Sequence, residues 1–87
     1  MPNTPQPFHP TPRSTVRRIP ARGVYDRTVI HSILDEALVC HVGFVDDGQP
    51  VVVPMLHARV DDRLYIHGSN SSRAFRILSE GVPACVT

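Results

Sequence analysis

From Tyr25 onward the apolar residues change period several times, and each change marks an element. Ile30, Ile33, Leu34 and Ala37 recur at the three-and-four spacing of a one-sided helix. Asp26 stands where an N-cap belongs, so a helix is predicted over Arg27–Ala37. Leu38 to Val45 is rich in β-branched residues and reads as a strand buried on at least one face. Asp46-Asp47-Gly48-Gln49 then reads as a hairpin turn, with Gly48 free to take positive φ. The chain returns as a strand over Pro50–Val60, turns at Asp61-Asp62-Arg63, and forms a third strand over Leu64–His67. Three consecutive antiparallel strands make a meander. Ala74, Phe75, Ile77 and Leu78 follow the helical template again, and Gly81 suits the left-handed residue that ends a helix. Val82–Thr87 begins a fourth strand.

Two places in this pattern carry more than fold information. Pro54 falls mid-strand, where a residue without an N–H belongs only at an edge, at a bulge, or where the backbone faces something other than a strand. The stretch His67-Gly68-Ser69-Asn70-Ser71-Ser72-Arg73 leads from a strand into a helix through a small, hydroxyl-rich turn. A helix start has unsatisfied N–H donors and a partial positive charge, and Arg73 adds a planar fork that suits a phosphate. The turn therefore reads either as a phosphate holder or as an ordinary cap built by Asn70, Ser71 or Ser72 beside a solvated Arg73.

Ahead of the first helix the pattern disappears. Residues 1–14 include Pro2, Pro5, Pro7, Pro10 and Pro12 with no apolar periodicity, the mark of a disordered, extended leader. Arg17, Arg18 and Arg22 follow as a basic arm. The ordered part is then one domain over residues 15–87, small enough to bury only about 60% of its unfolded surface. Because an apolar strand runs to Thr87, the expectation is a domain truncated at its C-terminus.

Composition narrows the function classes. The chain has 87 residues, 41% of them hydrophobic, and a formal net charge of +1, which suits a soluble globular protein rather than a nucleic-acid or acidic-membrane binder. No apolar run is long enough to span a bilayer and no signal-peptide core is present, so the cytoplasm is the default. The two cysteines, Cys40 and Cys85, lie in apolar strand-like runs and read as buried thiols in a reducing compartment. All nine basic residues are Arg, which excludes a lysine Schiff base and leaves phosphate recognition to Arg or protonated His. Cys40, His41, His57, His67 and Cys85 match no zinc spacing, and alternate strand residues face opposite sides.

Taken in order, Cys40-His41-Val42-Gly43-Phe44, Gly48-Gln49-Pro50, Val53-Pro54-Met55, Leu64-Tyr65-Ile66-His67-Gly68-Ser69 and Ser72-Arg73 resemble the FMN-binding split-barrel proteins. The likeness is to the pyridoxamine 5′-phosphate oxidase-related branch, which includes flavin-nucleotide-binding and nitroimidazole-resistance-type reductases. It covers about Arg17 to Thr87. It implies a mainly β fold with flanking helices: the N-terminal part of an FMN-binding split β-barrel built on the antiparallel meander. It implies FMN as cofactor, with Ser69, Ser72 and Arg73 donating to the phosphate and His67 and Gly68 beside the phosphate or ribityl chain. Val53, Pro54, Met55 and Leu56 would run along the isoalloxazine ring, and a homodimer would hold flavin at its interface.

The chain also departs from that pattern. Pyridoxamine-phosphate oxidases have a Lys directly after the Arg of this turn, where this chain has Ala74, and a strand lysine that this chain lacks. Arg76, three residues after Arg73, shares its helix face and partly compensates. The function expected is therefore an FMN-dependent oxidoreductase acting on a nicotinamide or another small reducible substrate, with catalytic residues unassigned. The alternative is a non-catalytic flavin- or haem-binding protein of the same fold.

Overall fold

The computed structural model describes residues 6–87, so the first five positions of the expected leader lie outside the described residues. The chain divides into two compact units between Glu36 and Ala37.

The first unit is organised by Tyr25 and Phe8. The Phe8 N–H donates to the Tyr25 carbonyl at 2.8 Å. The Tyr25 hydroxyl donates to the Ser14 carbonyl at 3.0 Å and accepts from the Val16 N–H at 2.8 Å. The Arg27 guanidinium sits 4.0 Å from the Phe8 ring centroid, a cation–π contact, while its Nε donates to the Gln6 carbonyl. A single 3-10 turn at Pro20–Arg22 precedes helix α1, Arg27–Glu36. Asp26 caps α1 as its sequence position implies: its Oδ1 accepts from the Val29 N–H at 3.0 Å.

The second unit is a curled half-barrel sheet with one helix. Its strands are β1 (Val39–Asp46), β2 (Gln49–Val60), β3 (Arg63–His67) and β4 (Ala84–Val86), and helix α2 (Arg73–Leu78) lies between β3 and β4. The spatial order is β3-β2-β1-β4, antiparallel throughout. Both hairpins close on two residues. Asp47 at φ 50° and Gly48 at φ 77° form the first turn, whose twist matches the flanking strands; Asp61 takes φ 51° in the second.

Alternation gives the sheet two different faces. Cys40, Val42, Phe44 and Met55 are buried on the inner face. Ala74, Phe75, Ile77 and Leu78 of α2 and the following Val82 pack against them, as do Val51, Val53 and Ile66 of the sheet. The opposite face keeps Val45, Val52, Leu56 and Tyr65 exposed. Cys85 also belongs to that face and is exposed, contrary to the buried thiol expected for it. Its cross-strand neighbour on β1 is Gly43, which has no side chain to cover it.

Pro54 is accommodated by the hydrogen-bond phase of β1. His41, directly opposite Pro54, spends its N–H and its carbonyl on Thr87, at 2.7 and 2.9 Å, and so asks nothing of β2. On its other side Pro54 has no strand to serve, because the β2–β3 ladder ends at Leu56↔His67. β2 is thus an inner strand by sheet order, but its backbone from Pro50 to Pro54 has an open edge among the described residues. Of the three explanations for a mid-strand proline, an edge is the one realised, over this part of β2.

The two faces make a direct test of the register. Val42→Ala is expected to lower unfolding free energy by about 1.5–3 kcal/mol in a urea titration, the worth of a buried valine. Val45→Ala on the same strand is expected to change it by less than about 0.5 kcal/mol.

Candidate functional site

The serine-rich turn begins where β3 stops. A Cβ placed on Gly68 would lie 2.2 Å from Cε2 of Phe75, so only glycine lets the chain pass under that ring. Beyond it, the Ser72 N–H donates to the Ser69 carbonyl at 3.0 Å, closing the bend. The hydroxyls of Ser69 and Ser71 are 2.8 Å apart, and the Ser71 N–H also donates to Ser69 Oγ at 3.3 Å. Ser72, with extended backbone at φ −68° and ψ 149°, is the N-cap of α2. Its Oγ accepts from the Phe75 N–H at 3.2 Å. The capping role is therefore realised, and a hydroxyl that accepts in this way keeps its own proton to donate elsewhere.

Arg73 and Arg76 occupy one face of α2, three residues apart. The Arg73 side chain is 67% exposed, but it is not simply solvated. Its Nε donates to Asp46 Oδ2 at 2.5 Å, and its Nη2 forms an ion pair with the same oxygen. Asp46 ends β1 on the inner face, and its side chain is only 20% exposed. The sequence reading placed Asp46 in a turn and assigned it no partner. No local pattern links two residues 27 positions apart.

The remaining candidate residues are distributed by strand alternation. Gly68, Ser69, Ser72 and Arg73 come together on one continuous turn, with Arg76 one helical turn further along. Val53 and Met55 put their side chains on the inner face with the core. Leu56 is cross-strand neighbour to His67, and Pro54, Leu56 and His67 are all exposed on the outer face. What β2 and the serine turn share is therefore backbone proximity at the Leu56↔His67 end, where the open edge of β2 begins. Among the described residues, no three of the His, Cys, Asp and Glu side chains converge as a metal site would require. No helix among them is long and apolar enough to cross a membrane.

The family profile described as pyridoxamine 5′-phosphate oxidase matches residues 26–87, from the cap of α1 through β4. The chain belongs to the pyridoxamine 5′-phosphate oxidase family. That family generally binds FMN, and the four-stranded sheet is consistent with part of its split barrel. No curated protein and no solved structure matches the chain. Ala74, which follows the Ser72-Arg73 pair, packs its methyl on the core.

Two substitutions separate the structural duties of the turn. Ser72→Ala is expected to cost about 1 kcal/mol of unfolding free energy through the lost cap. Gly68→Ala is expected to cost about 1–3 kcal/mol, because Phe75 must leave its seat. Chemical denaturation of the purified variants measures both.

Proposed function

We propose that this chain binds FMN and serves as a flavin-dependent oxidoreductase. In this reading Ser69, Ser72 and Arg73 hold the phosphoryl group, with Arg76 as the second cation. His67 and Gly68 lie beside the phosphate or ribityl end, and the backbone of Val53–Leu56 runs along the ring. The donor set suits a phosphate monoester: the turn offers serine hydroxyls and backbone N–H groups, an exposed guanidinium follows at once, and no carboxylate lies within the turn itself. The open edge of β2 suits a flat heteroaromatic ring, since the alternation there directs the Val52 N–H and the Val52 and Pro54 carbonyls away from β1.

When bound, FMN supplies hydride or electron transfer, and the chain's own residues bind, orient and shield it. Ala74 and the absence of lysine favour the flavin-nucleotide-binding or nitroimidazole-resistance-like branch over pyridoxamine-phosphate oxidation itself. A homodimer with flavin at its interface, a nicotinamide or small-molecule substrate and a cytoplasmic setting complete the proposal. The observation that carries it is a pre-bent, hydroxyl-lined turn delivering an exposed Arg73 in a chain of an FMN-binding family.

Titration with FMN, followed by flavin fluorescence, tests the reading. Arg73→Ala is expected to weaken binding by about 1.5–3 kcal/mol, the worth of a charge-assisted hydrogen bond. Full flavin occupancy in Arg73→Ala would remove the phosphate assignment. Bleaching of the bound flavin by NADH or NADPH is the expected mark of a reductase, whereas a colour that persists would indicate a passive flavin carrier.

A further inference from the structure

Arg73 already holds an anion. Its Nε and Nη2 both converge on Oδ2 of Asp46, so the edge of the guanidinium best suited to a bidentate partner is taken by a residue of the same chain. The two partners are unequally free. Asp46 is held on a strand end with its side chain 20% exposed, whereas the Arg73 side chain is 67% exposed. In any exchange Arg73 is the member that moves and Asp46 the one that stays.

We propose that Asp46 is a threshold residue, a resident carboxylate that Arg73 releases only to a dianionic phosphoryl group. The inference rests on the FMN reading and adds to it the barrier that an anion must pass to reach Arg73. A monoanion replacing Asp46 at Arg73 exchanges like for like and leaves a half-shielded carboxylate without its cation, so it gains nothing. A phosphate monoester carries about −1.5 to −2 charges at neutral pH and three acceptor oxygens. It can engage Arg73 and the serine hydroxyls together and draw on the charge of Arg76, one turn away. The resident carboxylate lowers affinity for every anion by a similar amount, and only the ligand with the larger charge and more acceptors overcomes it. Chloride and carboxylate metabolites are thereby excluded from a turn that would otherwise present an uncompensated arginine.

The test measures dissociation constants of FMN and riboflavin for the full chain and for Asp46→Asn, which keeps the side-chain shape and removes the charge. Asp46→Ser serves as a second neutral variant, and circular dichroism confirms that both are folded. FMN is expected to bind the neutral variants roughly two- to fivefold more tightly, in keeping with a partly exposed ion pair, while riboflavin binding stays unchanged. Acetate is expected to compete with FMN in the variants and not in the parent chain. Unchanged or weaker FMN binding by the folded variants would overturn the inference while leaving the FMN reading intact. A parent chain that takes no FMN would overturn the FMN reading itself, and this inference with it.

Discussion

The seat of Phe75 against Gly68 ties together everything that matters in the second unit. The ring packs on the inner-face core and occupies the space where any residue but glycine would carry its Cβ. Its backbone N–H is the donor that Ser72 caps. One residue thus joins core, bend and helix start, so the serine turn cannot shift without disturbing the packing of α2. α2 itself has only six residues and would not persist alone; it is helical because its apolar side chains are needed by the sheet.

The sheet supplies the complementary constraint. Its buried core is small, with four buried side chains among the described residues supported by half-buried neighbours. That fits a unit of limited size, which cannot cover both sides of its own strands. Side-chain alternation puts all the strong packing on one face. The other face keeps valines, Leu56 and Tyr65 in contact with solvent. Pro54 lies on an open stretch of β2: it fits because His41 turns its polar groups toward Thr87, and on its other side β3 has already ended at His67. Where β3 ends, β2 keeps backbone groups open beside the departing chain.

Around Arg73, structure and chemistry compete for one side chain. As a contact, the pair with Asp46 links the start of α2 to the end of β1. As an exposed surface pair it contributes little to stability. Its greater consequence is electrostatic, since it offsets the charge of the guanidinium at the start of α2. A turn rich in hydroxyls with a neutralised arginine is a different binding surface from the same turn with a bare one.

What the sequence by itself determined is what local rules govern. Asp26 caps a helix, Gly48 adopts positive φ, and one of Asn70, Ser71 and Ser72 caps α2, the structure selecting Ser72; each depends on chain neighbours and on backbone dihedrals that few residues tolerate. The boundaries of β1 and β2 and the start of α2 follow, to within a residue, from those signals together with the change of hydrophobic period, while α2 stops at Leu78, ahead of the Gly81 that the sequence offers as its end. Only the tertiary structure decided which groups face one another. It placed Asp46 on Arg73 across 27 residues, left Cys85 uncovered beside Gly43, put Pro54 opposite a β1 residue that needed nothing from it, and split Val53 and Met55 from Pro54 and Leu56 by face. Such pairings depend on register and sheet order, and these emerge when distant segments compete to bury the same core, a sum that no single stretch of sequence contains.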